Sequence, residues 1–567
     1  MAIFMNKWVK ALSFGAGFAL SLSKTFGAEP DDLKLSYQQA MYIAGQDKLE
    51  EAFQIYQKIV ASLGRHDLDL LRKMALQILD KGAKSDIPET RFLALLGAAV
   101  AFDESSLYLL ENALRGNERE FQLIAINFLT QYHNDHADRA IESAMRSPYL
   151  IVRIAALQYL CEKQHPRAFS QAEALLCKVT NELTILFPEL FFLLDDPRAT
   201  RTIKRLFGNP KKEVRIATIQ SAIRHEREDF VPIFRSLITQ HEKSVQEAAI
   251  VALGFFKDYE SRSQLKKLSL STDGDLSLAA TYALHQLGDD KATLKILECA
   301  ASENIKALSL LENFENCDDL LIRLLYSNNM LVRVNASLIL LKRNNPACLK
   351  VLPEIILRDG RDYAMARAYS PGHSFSYIKL IPNSEILAEE TPLIKEQSLR
   401  IKEEILSEAL MLPEKDFLAF SEMVLRAQQN DLVPHVTKLL EKLKTDEAKH
   451  LLKTYSQFVG APLVRNYCNL ALFRMGNEGQ YKELLKEWLL EQNGIEMIRL
   501  RPFLPDEKKL TRFQLTAEET SRLALEALES FVQGSDEENI TFILEIMNRL
   551  SPANRYVLSG LLIRSTL

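Results

Sequence analysis

The segment YHNDHADR brings His133, Asp135 and His136 together, and imidazole beside carboxylate can bind a first-row metal. The rest of the chain argues for another use. At equivalent places stand Glu162–His165, Asp195-Asp196, His225–Asp229, Asp258–Glu260, Asp289-Asp290 and Asp318-Asp319. Polar, mostly acidic residues that recur where helices begin cap free N–H groups and oppose the helix dipole. Capping is therefore the expected role, and no metal site is expected. The chain has no GxSxG, Walker loop, HExxH or CxxC motif, so no catalytic residue and no cofactor is expected either. Of six cysteines, Cys161/Cys177 and Cys299/Cys317 are spaced to link adjacent helices in an oxidising compartment. The alternative is that they serve as small buried apolar residues.

Two further sets suit binding better than catalysis. Arg91, Arg153 and Arg215 recur at equal intervals, and Gln158 and Gln220 lie about one and a half helical turns beyond the last two. Guanidinium forks suit carboxylates and phosphates. The alternative is a structural ladder, in which each Arg bonds a neighbouring repeat. The second set lies around Ser370-Pro371-Gly372-His373: Tyr363, Arg367, Tyr369, Phe375, Tyr377 and Lys379. Tyr363, Met365, Arg367 and Tyr369 alternate with alanines, which predicts paired strands, and Pro-Gly predicts a type II turn. Exposed Tyr and Arg anchor protein interfaces; alternatively, one hairpin face packs on the helices. If the hairpin only selects a partner, a short linker in place of 362–380 should leave melting nearly unchanged.

The elements that carry these residues repeat. From Val214, steps of 31 land on Thr90, Phe121, Val152, Leu183, Val245, Leu276 and Ala307, each opening a helical pattern. At offsets 0, 3, 4, 7 and 8 from these anchors, 35 of 40 residues are apolar, against about 19 expected from 47% hydrophobic composition. Those offsets form one face of a helix. Offset 4 is Ala94, Ala125, Ala156, Ala249 and Ala280 in five copies, which allows close helix approach. A second helix separates successive anchored ones, so each repeat is helix–turn–helix. A fixed period of this size marks a stacked-repeat architecture.

VRIAALQYL, EVRIATIQSAI and SVQEAAIVALGFF resemble short HEAT repeats of the phycobilisome-lyase-like type. The resemblance covers about 86–345, with a late copy at 461–476. It departs from the pattern at 183–192, where Pro188 and a Phe cluster intervene, and at 307–314. The fold it implies is all-α: a right-handed α-solenoid of period 31 with one inserted β-hairpin. It also implies that the second helix of each repeat lines a concave face, where the Arg/Gln stripe would meet a partner. Residues 28–65, with Ala44-Gly45, Glu51-Ala52-Phe53 and Tyr56, resemble one tetratricopeptide hairpin.

The expected organisation is a signal peptide at 1–27, this hairpin, repeats over 66–352, an insertion over 353–397, and irregular helical repeats over 398–567. Lys7 and Lys10 precede a thirteen-residue uncharged stretch, and Thr25 and Gly27 suit cleavage after Gly27, or otherwise after Ala28. The mature protein is thus expected in the periplasm or medium, the alternative being cytoplasmic. No later segment has the length and apolarity of a transmembrane span. Charged residues make up 26% of the chain and the net charge is −5, so there is no basic excess of the kind nucleic-acid binders show. The expected function is a non-catalytic scaffold for a protein partner, with no nucleic acid bound. A phycobilin-lyase-like or other enzyme accessory and a nucleic-acid-binding HEAT protein are the alternatives.

Overall fold

The computed structural model describes residues 30–567 except 47, 181, 195, 358–361, 388–389, 477–478, 493, 499–514, 533–535 and 550. The expected signal peptide lies outside the described residues. The chain forms helices throughout, interrupted by one antiparallel pair, β1 (Tyr363–Tyr369) and β2 (Ser376–Pro382). Six of the eight anchors open full helices: Pro88–Ala101, Arg119–Leu129, Leu150–Glu162, Lys212–Arg224, Lys243–Phe255 and Gly274–Gln286. The off-period copy is the helix Met330–Lys342.

The two exceptions are the copies that depart from the pattern. Pro188 cannot donate to the carbonyl one turn back and its ring crowds that carbonyl. Leu183–Leu186 accordingly winds as a 3-10 turn, and the α-helix starts only at Phe187 with the proline in its first turn. In the copy at Ala307, Leu311 replaces the small offset-4 residue, and the helix Ile305–Leu308 stops after four residues.

The period is also written in the backbone. Phe102, His133, Gln164, Glu226, Lys257 and Gly288 all have positive φ, between 36° and 76°. They lie 31 apart, except across position 195, which is outside the described residues. Each ends an anchored helix with a left-handed residue, a conformation that costs a non-glycine residue roughly 1–2 kcal/mol. The repeat packing evidently enforces it. His133 is one of these turn residues.

Two compact units result. The first comprises the chain up to Leu160, most of the stretch from Leu485, and Thr516–Leu567; the second is essentially Cys161–Leu484. The residues expected as one C-terminal block from 398 are thus divided between the two. In the first unit, Ala40, Ala44, Ala52 and Tyr56 are buried where helices Pro30–Gly45 and Leu49–Leu63 pack together. The helix Arg555–Ser565 packs on Pro88–Ala101 and Leu68–Ala83. Gly560 and Gly97 meet so closely there that a Cβ on either would overlap the backbone of the other helix. Arg72 donates to the Thr566 carbonyl at 3.1 Å and fixes the end of that helix.

In the second unit, ion pairs join successive repeats: Arg205 to Glu173, Arg235 to Asp258, Lys243 to Asp273, Arg262 to Asp289, and Arg343 to Asp318. Burial pushes the Asp258 carboxyl up, but hydrogen bonds from Arg235 and Ser261 outweigh it and hold the group below the usual range. The helix Thr391–Ala409 begins seven residues before the expected position. Pro392 falls in its first turn, where the missing N–H costs nothing, so this proline opens a helix instead of marking irregular chain.

Candidate functional site

The site is built on four helices of the second unit and the hairpin laid across them. β1 packs on helix Thr391–Ala409, and β2 on Met330–Lys342 and Ile305–Leu308. Two buried polar side chains clamp the strands and their turn. Asn335, 4% exposed, accepts from the Ile378 N–H at 2.7 Å and donates to the Ile378 carbonyl at 2.9 Å. Its amide thus supplies the two bonds that a neighbouring strand would give to the outer edge of β2. On the other edge, Ser398 Oγ accepts from the Met365 N–H at 3.1 Å, and Arg367 pairs with Glu404 at 3.1 Å.

The second clamp is Glu247 on helix Lys243–Phe255, 2% exposed. Its carboxylate accepts from Ser370 Oγ and, at 2.8 Å, from the Gly372 N–H. Burial pushes the Glu247 carboxyl above its ordinary value, and the two donors offset only part of that. The turn differs from the type II expectation. The His373 N–H bonds the Ser370 carbonyl at 2.8 Å, but the left-handed residue is His373, with φ 55°, and not Gly372. Gly372 is needed for proximity instead. A Cβ there would sit 2.8 Å from the Glu247 side chain and from the Ser244 carbonyl.

Of the hairpin candidates, Phe375 is buried, Tyr363, Arg367 and Tyr377 are half-buried, and Tyr369 and Lys379 are exposed. Met365, Phe375 and Ile378 are at most 6% exposed. Excision of 362–380 would therefore open an apolar surface, which corrects the expectation that melting would hardly change. Outward, the Tyr369 ring stacks on His373 at 5.5 Å between centroids. Tyr377 lines a cleft of about 610 Å³ with Asp275, Thr281, Lys295, Cys299, Glu303 and Lys306.

The stripe residues divide between the units. Arg91, Arg153 and Gln158 belong to the first, Arg215 and Gln220 to the second. Arg91 Nη1 donates to the Ser85 carbonyl at 3.3 Å, its Nη2 pairs with Glu118 at 2.7 Å, and its guanidinium lies 4.9 Å from the Phe121 ring centre. Arg215 Nη1 donates to the Asn209 carbonyl at 2.6 Å. Gln122 and Arg333 likewise reach the carbonyls of Gly116 and Ser327, again six residues back. Each ties the turn that precedes its own helix. Arg153 is half-buried and Gln158 exposed. Gln220 meets the hairpin, donating to the His373 carbonyl at 3.4 Å.

At the acidic cluster, Asn134 caps its helix through the Ala137 N–H, and His136 contacts Glu111 at 2.8 Å. Asp103, Asp196, Asp273 and Asp289 cap in the same way. All six cysteines are free thiols. The clamps escaped the sequence reading, yet each breaks the repeat pattern. Offset 2 is Phe92, Leu123, Ile154, Ile185, Ile216, Leu278 and Ser309 in the other copies, but Glu247 here. Offset 3 is Leu, Ile or Ala in all eight registers, but Asn335 in the off-period one.

Residues 199–285 match the family model of HEAT repeats, a span that contains the Glu247 helix. No curated protein matches the chain. Among the described residues no helix is long and apolar enough to cross a membrane.

Proposed function

We propose that this HEAT-repeat protein is an exported, non-catalytic scaffold that binds a protein partner on the hairpin-bearing face of its second unit. The observation that carries the reading is the double clamp. Asn335 and Glu247 sit in apolar positions of the repeat, and the hairpin engages both: Asn335 through the Ile378 backbone, Glu247 through the Gly372 N–H and the Ser370 hydroxyl. A buried carboxylate and amide are costly to the fold unless satisfied, and here they fix one loop in one place. That loop presents Tyr369, His373 and Lys379 outward, beside the cleft that Tyr377 lines. Rigid presentation lowers the ordering cost of binding, and an exposed Tyr is a common interface anchor.

The test is capture from envelope extracts of a cell that makes the protein, comparing the full-length chain with Tyr369→Ala/Lys379→Glu. Loss of a specific partner with unchanged melting is the expected result. An identical set of captured proteins from both would overturn the reading. Export is supported by Lys7, Lys10 and the uncharged stretch after them. It is tested separately by the N-terminal residue of the native protein: Ala28 or Glu29 is expected, and an intact Met1 would refute it.

A further inference from the structure

A second surface is carried by helix Pro197–Phe207 and the start of helix Lys212–Arg224. Between Asp195 and Arg215 the chain carries seven cations, Arg198, Arg201, Lys204, Arg205, Lys211, Lys212 and Arg215, against three carboxylates, Asp195, Asp196 and Glu213. The local sum is +4 (7 − 3) in a chain of net charge −5. Three of these cations are used within the fold. Arg198 pairs with Asp196 at 2.7 Å, Arg205 with Glu173 at 2.8 Å, and Arg215 binds its turn. Arg201, Lys204, Lys211 and Lys212 have no anionic partner among the described residues, and all but the half-buried Lys211 are exposed.

Local structure does not account for them. Lys204 near the end of helix Pro197–Phe207 suits the helix dipole, but Lys211 and Lys212 open the next helix, where positive charge opposes it. Three later repeats put side-chain caps at that point, Asp273, Asn304 and Asn329, whereas Lys211, like Ile87, Glu118 and Glu242, makes no capping bond. Rules broken without local compensation mark functional positions.

We infer that this face docks an acidic segment of a protein partner, as an interaction surface additional to the hairpin and independent of the hairpin reading. Charge and shape select the occupant. The helix is about 16 Å long at 1.5 Å per residue, and about five residues of extended chain span that length, so four free cations match a short Asp/Glu run. Duplex DNA would present roughly ten phosphates over the same length, more than these cations can neutralise. The exposed residues of the face include no aromatic ring for base stacking and, beyond Pro197 and Pro210, no apolar side chain for membrane insertion.

The experiment measures binding of a fluorescent oligoglutamate peptide to the full-length protein. Arg201→Glu/Lys204→Glu/Lys211→Glu/Lys212→Glu is compared with a control, Lys438→Glu/Lys442→Glu, which reverses exposed cations elsewhere in the same unit. The expected result is salt-sensitive binding that falls about tenfold or more in the first variant and stays within about twofold in the control. The neutral variant Arg201→Gln/Lys204→Gln, with a smaller loss, serves if the quadruple reversal lowers the melting temperature. No peptide binding by the wild type, or equal losses in variant and control, would overturn the proposal. So would tighter binding of duplex DNA, or of phosphatidylglycerol vesicles, through the same four residues.

Discussion

Replacing Asn335 by Ala should release β2 without unfolding the repeats. The Ile378 N–H and carbonyl lie on a residue only 3% exposed, so water does not replace the lost amide. Each buried group left unpaired costs about 1–3 kcal/mol. Relief from burying the Asn side chain offsets part of this, which leaves about 2–4 kcal/mol against docking of the strand. At about 1.4 kcal/mol per factor of ten, local opening should rise roughly 30- to 1000-fold. Hydrogen exchange followed by mass spectrometry on peptides covering 376–382 reads this directly, because the Ile378 amide is bonded to Asn335 and not to β1. Asn335→Asp adds a discriminating case. Its carboxylate still accepts from the N–H but sets a second oxygen against the Ile378 carbonyl, so it should not rescue the wild-type rate. Unchanged exchange in Asn335→Ala would refute the clamp. Acceleration spread evenly over the second unit would show that Asn335 supports the repeats and not the hairpin.

Glu247 predicts a pH signature. Its folded pKa lies above its ordinary value of 4.5, so the folded state binds the proton more tightly. Its stability contribution is complete below the ordinary value and lost as pH rises through the raised one. The stability of the wild type relative to Glu247→Gln should therefore be greater near pH 4.5 than at pH 7, and melting of both proteins across that range checks it. Gly372→Ala should loosen the hairpin tip by about 1–3 kcal/mol through overlap with Glu247 and Ser244, seen as faster proteolysis within 370–375. Gly560→Ala should cost about 3 kcal/mol or more and lower the melting of the first unit, since its Cβ would overlap the Gly97 backbone. A thiol reagent should label exposed Cys177 quickly and half-buried Cys299 more slowly, leaving Cys161, Cys317, Cys348 and Cys468 for the unfolded chain. For Cys161 and Cys348, burial also pushes the thiol up to about 12, which keeps the reactive thiolate scarce.

The repeats were legible because a helix that stacks on two neighbours has a rigid apolar period, and eight copies average out local noise. The two broken helices fall where the copies depart from the family pattern, at Pro188 and at Ala307, although the apolar period predicts a helix at both. The hairpin was visible in the alternation of Tyr363–Tyr369, but its docking was not. The two clamps that hold it are set by contacts across 43 to 125 residues of chain, and no local pattern encodes a partner that distant. Gly372 shows the limit clearly. A glycine after proline reads as a left-handed turn residue, and only the approach of Glu247 reveals that it is there for lack of a side chain. The arginine stripe was ambiguous because one residue at one spacing serves both a partner and its own turn. Where Arg91 and Arg215 donate is a matter of geometry.

The glycine contact between Pro88–Ala101 and Arg555–Ser565 has a consequence for biosynthesis. The two helices are separated by about 450 residues of chain (555 − 101 = 454). At about 5–20 residues per second, the earlier helix leaves the ribosome roughly 20–90 seconds before its cover exists. During that interval the apolar faces of the first unit are synthesised but not closed, while Cys161–Leu484 is contiguous in sequence and has no such wait. The middle of the protein is thus placed to fold before its beginning, and a nascent chain bearing an unfinished first unit remains open to chaperones, or to a secretion channel, for most of its synthesis.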